Sequence, residues 1–150
     1  MNILLIGSGA REHAIARALE RSPKKKRINC LASSVNPGLI KLCSEIKIGN
    51  INDPKSVSRY AKEHSIRLAI IGPENPLANG VADALWDEGV KVVGPKKELA
   101  QIETSKSFTR DLLVEYKIPG CPNYRTFSSM NGVVSFLNEL GENYVVKYDG

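Results

Sequence analysis

Apolar residues along this chain come in short blocks, each followed by a stretch with helical spacing. Residues 3–6 are apolar and stop at Gly7-Ser8-Gly9, after which Ala14, Ala18 and Leu19 recur on one helix face. Blocks at 28–32, 45–48, 68–71 and 91–93 read as further strands, and the run 68–71 is apolar throughout, as a strand covered on both faces requires. Between them, 54–64 carries Val57, Tyr60 and Ala61 on one face, with Asp53-Pro54 as N-cap and first helical residue. A second helix is predicted over 76–88, with Leu77, Val81, Ala84 and Leu85 inward and Gly89 ending it. Residues 33–38 read as a turn punctuated by Asn36-Pro37-Gly38. Strands alternating with helices at this interval predict an α/β fold built on a doubly wound parallel sheet.

From Lys96 the pattern changes. Helical stretches at 96–102 and 105–116 follow one another without a strand, and Ile118-Pro119-Gly120 breaks the second. Strands are predicted at 124–127 and 144–147, flanking a helix over 129–140. A domain boundary is expected within the first two of these helices. The final β-α-β piece is too small to cover both faces of its strands, so the chain reads as cut off.

Composition narrows the functional classes. The formal charge is +5, concentrated in Lys24-Lys25-Lys26-Arg27. No aromatic residue interleaves with that run, so a solvated loop is expected and no nucleic-acid partner. No apolar stretch approaches the roughly 20 residues of a membrane span. Met1 leads straight into a strand without a targeting segment, so the expected location is cytoplasmic. Cys30, Cys43 and Cys121 are odd in number and lack metal-ligand spacing, which fits reduced thiols.

In doubly wound sheets ligands sit beyond the C-terminal strand ends, where Gly7-Ser8-Gly9 and Gly72-Pro73-Glu74-Asn75-Pro76 both fall. The first turn offers backbone N–H groups at a helix start, an anion site, and Arg11 is placed to pair with a phosphate. It is not the dinucleotide fingerprint, because Glu12 stands where the third glycine belongs and no acidic residue closes the second strand at Leu31-Ala32-Ser33. A non-catalytic nucleotide-binding module therefore stays as an alternative that these two features oppose. Glu74 reads either as an acceptor for a sugar hydroxyl or amine, or as an exposed turn residue. Lys147 interrupts the apolar face of Tyr144-Val145-Val146 and either snorkels or meets an anion. Lys106 alone is an ordinary surface lysine, and His13 reads as a capping or packing residue. No nucleophile–base pair, Walker loop or two-carboxylate site is present, and the residues by themselves stop at an α/β domain with an anion-binding edge.

Taken together, Gly7-Ser8-Gly9-Ala10-Arg11-Glu12-His13-Ala14, Pro37-Gly38, Ile71-Gly72-Pro73-Glu74-Asn75-Pro76-Leu77, Gly94-Pro95, Glu103-Thr104-Ser105-Lys106 and Val145-Val146-Lys147-Tyr148-Asp149-Gly150 resemble the N-terminal third of the glycinamide ribonucleotide synthetases (phosphoribosylamine–glycine ligases) of the ATP-grasp superfamily. The resemblance implies ATP-dependent ligation of glycine to 5-phosphoribosylamine through a glycyl phosphate, a step of purine biosynthesis. It divides the chain into an α/β substrate-binding domain over 1–103, the start of an ATP-grasp central domain over 104–122, and an incomplete lid subdomain over 123–150. Gly7, Ser8, Gly9, Arg11, Glu12, His13, Pro37, Gly38, Gly72, Pro73 and Glu74 would border the phosphoribosylamine, and Lys106 and Lys147 would reach the ATP phosphates. Ligands for Mg²⁺ (or Mn²⁺) and the adenine pocket would lie beyond residue 150. No catalytic or metal-binding residue is then expected within the chain, which alone would be inactive. The partners implied are small molecules and the state a monomer. Another ATP-grasp carboxylate–amine ligase of purine metabolism is the alternative within the class. Three residues depart from the family pattern. Ala10 replaces a usual glycine and is expected at negative φ; Leu39 replaces a usual asparagine; Tyr148 replaces a usual alanine.

Overall fold

The computed structural model of the chain describes residues 1–149. Five strands form, β1 (Asn2–Ile6), β2 (Arg27–Ala32), β3 (Glu45–Ile48), β4 (Leu68–Ile71) and β5 (Lys91–Val93), each where the apolar blocks predict one. They pair in the order β3-β2-β1-β4-β5, all parallel. The chain winds outward from β1 to β3, then returns to the other side of β1, so the topological switch lies between β1 and β4.

Register places the functional loops side by side. Ile6 pairs with Leu31 on one flank and Ile71 on the other, so β1, β2 and β4 end at one level. The ladder runs one step further: the Gly7 N–H donates to the Leu31 carbonyl (3.0 Å) and the Gly72 N–H to the Ile6 carbonyl (3.1 Å). Alternation along β1 sends Leu4 and Ile6 to one face and Leu5 to the other. The first face packs on Val57, Tyr60, Leu77, Val81 and Leu85, and the second on Ala16 and Leu39. All of these are buried, which is why residues 3–6 of β1 are apolar throughout.

Helix α1 (Ala10–Glu20) forms where expected but turns Glu12, Ile15, Ala16 and Leu19 inward and leaves Ala14 and Ala18 exposed. Helix α3 (Pro54–Glu63) buries the predicted face, and the Asp53 carboxylate caps it through the Lys55 N–H (3.1 Å). The 33–38 segment closes into a short helix, α2 (Pro37–Ile40), because the Asn36 side chain caps it. The single helix expected over 76–88 is two, α4 (Glu74–Ala78) and α5 (Val81–Asp87). Gly80 adopts φ +82° between them, a left-handed conformation that interrupts the helix although the apolar spacing continues across it. Ala10 takes negative φ, as expected for alanine at that turn. Leu39 is fully buried, so the position where a polar contact is lost contributes to the core instead.

Residues 1–100 form one compact unit and the chain from Gln101 onward another. Helix α6 (Lys97–Thr104) leads into α7 (Lys106–Glu115), and α8 (Val133–Leu140) follows. The last helix begins four residues later than predicted, after Gly132 at φ +80°. The strands expected at 124–127 and 144–147 do not form. Neither segment has a partner strand among the described residues, and an unpaired extended segment satisfies none of its backbone groups. Helices α7 and α8 contain no buried residue. Local contacts hold this unit: Phe127 meets Phe136 at 6.0 Å between ring centroids, and the Arg125 guanidinium lies 4.3 Å from the Phe136 centroid.

Candidate functional site

A cleft of about 320 Å³ opens at the C-terminal edge of the sheet, bordered by Ser8, Gly9, Ser33, Asn52, Pro73 and Asn75. Its floor is the turn from β1 into α1. Gly7 has φ +122°, which a side chain would oppose, and Gly9 precedes the helix in extended conformation. Glu12, in the first turn of α1, points inward and is only 4% exposed. Its carboxylate accepts the Gly9 N–H (2.5 Å). A methyl group on Gly7 would come within 2.7 Å of the Glu12 carboxyl carbon, and one on Gly72 would overlap the Glu12 carboxylate.

The neighbouring side chains reach the other loops. Arg11 is exposed, and its Nη1 donates to the Gly72 carbonyl. A methyl group on Gly38 would meet the His13 ring at 2.5 Å. Pro37 supplies the first residue of α2, and the Asn36 amide donates to the Ser8 carbonyl (2.9 Å) and the Gly9 carbonyl (3.3 Å). Hydroxyls gather at the same lip: Ser8 Oγ lies 3.1 Å from Ser33 Oγ, and Ser34 Oγ donates to Ser8 Oγ at 3.1 Å. Glu74 is exposed as the first residue of α4, immediately after Pro73.

Of the eleven positions marked for substrate, Ser8, Gly9, Glu12 and Pro73 line the cleft, while Gly7 and Gly72 pack on Glu12 and Gly38 on His13. Gly7 and Gly9 have committed their N–H groups to Leu31 and Glu12. Donors aimed outward are the first-turn N–H groups of α1, which lack intrahelical acceptors, together with the Arg11 guanidinium and the serine hydroxyls. Ser33, Ser34, Asn36, Asn52 and Asn75 were not singled out. The readable signal was the switch from apolar Ala32 to Ser33-Ser34 at a strand's C-terminal end.

Lys106 and Lys147 lie in the second unit. Lys106 opens α7 just after the N-cap Ser105. Asp149 accepts the Ser107 N–H (3.0 Å) and the hydroxyls of Ser107 and Ser105. These bonds, led by the Ser107 hydroxyl, hold its carboxyl down to about 2. The segment bearing Lys147 is thereby pinned to the helix start that bears Lys106. A wider hollow of about 530 Å³, lined by Val134, Leu137, Asn138 and Tyr144 among others, holds none of the residues marked for chemistry.

A parallel sheet with its cleft at the switch edge, and a buried glutamate in place of the third fingerprint glycine, defines a doubly wound α/β domain that departs from the dinucleotide-binding pattern. Solved ligases and carboxylases share this fold. N5-carboxyaminoimidazole ribonucleotide synthetase from Thermotoga maritima has a TM-score of 0.67 at 18% identity, covering 94% of this chain and 36% of that one. Phosphoribosylglycinamide synthetase from Anaerococcus prevotii has a TM-score of 0.61 at 16% identity, covering 92% and 34%. The family model described as "Phosphoribosylglycinamide synthetase, N domain" matches residues 1–103, and the chain belongs to that family. Among curated relatives, the phosphoribosylamine–glycine ligase of Methanosarcina barkeri is 43% identical over 142 residues, 95% of this chain and 33% of the relative. That of Methanocaldococcus jannaschii is 45% identical over 143 residues, 95% and 32%. The chain spans about a third of the length of the curated relatives it matches. Among the described residues, no helix is long and apolar enough to cross a membrane.

Proposed function

We propose that this chain is the amine-substrate-binding part of a phosphoribosylamine–glycine ligase, which joins glycine to 5-phosphoribosylamine with hydrolysis of ATP to ADP and phosphate. The observation that supports the reading is that Ser8, Gly9, Glu12 and Pro73 line one cleft at the sheet's switch edge, with Gly7 and Gly72 against Glu12 and Gly38 against His13. In this reading the Ser8, Ser33 and Ser34 hydroxyls, the first-turn amides of α1 and Arg11 receive the sugar phosphate. Charge-assisted bonds from arginine suit that anion. The Glu74 carboxylate accepts from a ribose hydroxyl or the amine.

The remaining chemistry is positioning and charge neutralisation. Glycine's carboxylate attacks the γ-phosphorus of ATP, the bridging P–O bond breaks, and ADP leaves. The ribosylamine nitrogen then attacks the acyl carbon, phosphate departs, and the nitrogen gives up a proton. Lys106 and Lys147 serve the ATP phosphates, with 104–122 opening the central ATP-grasp domain and 123–150 its lid. N5-carboxyaminoimidazole synthetase from Staphylococcus aureus, which shares the fold at a TM-score of 0.69, was solved with ADP. Among the described residues no three His, Cys, Asp or Glu side chains stand together as a metal site. In this reading the ligands for Mg²⁺ (or Mn²⁺) come from the remainder of the ligase, past residue 150. A cytoplasmic monomer acting on small molecules completes the proposal.

The test is phosphate release by the complete protein given ATP, glycine and phosphoribosylamine, with Glu74→Gln alongside. The expected result is glycine-dependent turnover, with Glu74→Gln raising KM for phosphoribosylamine but not for ATP. Turnover only with a different amine would move the chain to another ligase of the same class. An unchanged phosphoribosylamine dependence in Glu74→Gln would remove that residue from the site.

A further inference from the structure

Three consecutive side chains of α1 each engage a different loop of the cleft: Arg11 the Gly72 carbonyl, Glu12 the gap between Gly7 and Gly72, and His13 the face of Gly38. The middle one lines the inner wall of the cleft but is only 4% exposed, and its carboxylate is already engaged by the Gly9 N–H. A buried carboxylate is costly unless hydrogen-bonded, and this one is placed where it also fills space that two glycines leave open. Where the dinucleotide fingerprint has a glycine that lets the helix close on the strand, this chain inserts a side chain that spaces one loop from the next.

We propose that Glu12 is a positioning residue, a wedge whose carboxylate sets the separation of the Gly7–Gly9 and Gly72–Glu74 loops and so places the groups that bind the phosphoribosylamine. This rests on the function proposed above. It accounts for the shared occurrence of glycine at 7 and 72 with glutamate at 12: each glycine is the room that the wedge needs. It also removes the Gly9 N–H from the donors available to an anion, leaving those of Ala10, Arg11 and Glu12.

The test compares Glu12→Gln, Glu12→Ala, Gly72→Ala and the Glu12→Ala/Gly72→Ala double variant in the complete ligase. Glu12→Gln keeps the wedge's volume and an oxygen for the Gly9 N–H, so its KM for phosphoribosylamine is expected within about threefold of the parent. Gly72→Ala, whose methyl group overlaps the wedge, is expected to raise that KM by about tenfold or more with the KM for ATP unmoved. The double variant is expected to recover part of the loss relative to Gly72→Ala, because shortening Glu12 makes room for the methyl group. A direct contact between Glu12 and substrate predicts the reverse: a large loss in Glu12→Gln, and a double variant worse than either single. That pattern would overturn the proposal. Thermal unfolding reads the wedge without substrate, with the double variant melting above Gly72→Ala. If the complete protein does not use phosphoribosylamine, the functional reading fails while that melting order still tests the wedge; a double variant melting below Gly72→Ala sinks the wedge itself.

Discussion

Asn36 joins a helix cap to the glycine turn, and its two chemical ends can be separated by substitution. Its carbonyl oxygen accepts the Gly38 N–H at 2.9 Å, capping α2, while its amide nitrogen donates to the carbonyls of Ser8 and Gly9. Asn36→Ala removes both. Loss of an N-cap costs about 1 kcal/mol. The two donated bonds end on partly exposed carbonyls that water can reach, so together they add about 1 kcal/mol more. A loss of about 2 kcal/mol corresponds to a melting point lower by about 8–16 °C in a unit of residues 1–100. Asn36→Asp keeps the cap but turns a carboxylate oxygen toward two carbonyl oxygens, so the turn is released while α2 survives. In thermal unfolding the expected order is parent, then Asp, then Ala. In steady-state assays of the complete ligase both variants are expected to raise the KM for phosphoribosylamine. Asp melting as low as Ala would remove the capping argument. Parental KM values in both variants would show that the Asn36 clip does not hold the site.

Three further outcomes follow from the packing and the electrostatics. Leu4 is fully buried in the central strand, so Leu4→Ala is expected to cost about 2–5 kcal/mol in denaturant unfolding. Tyr60 is buried and its hydroxyl donates to Glu45 Oε1 at 3.3 Å; burial first, then the Glu45 carboxylate, pushes the phenol above its ordinary value of 10. Folding therefore favours the protonated phenol. Its contribution is whole below pH 10 and is lost as pH rises through the raised value, a slope that Tyr60→Phe is expected to flatten in alkaline unfolding curves. Asp149 carries the opposite sign: its carboxyl is lowered from 3.8 to about 2, so the tie to α7 is intact above 3.8 and is lost as pH falls toward 2. Carboxyl chemical shifts are expected to titrate in that window, and Asp149→Asn to abolish the transition.

The sheet was legible because a parallel strand buried on both faces must be apolar throughout, and 68–71 and 3–6 are. The edge that carries the candidate cleft was legible because glycine and proline punctuate the strand ends there. What escaped was tertiary. Glu12 reads as a departure from the dinucleotide fingerprint and as a substrate neighbour, but its burial against Gly72, 60 positions away in sequence, is not visible there. Arg11 reads as a free phosphate ligand, yet it spans to the same glycine's carbonyl. The Gly80 break was masked by apolar spacing that stays in phase on both sides of it. The strands expected at 124–127 and 144–147 had propensity without a partner, and β propensity measures packing against neighbours more than a backbone preference.

The central claim is that the sheet-edge cleft holds the sugar phosphate. Crystals of the complete protein with glycinamide ribonucleotide test it directly. The account predicts the phosphate against Ser8, Ser33 and the start of α1, with the ribose toward Glu74. The product bound elsewhere, with this cleft occupied by solvent, would contradict it.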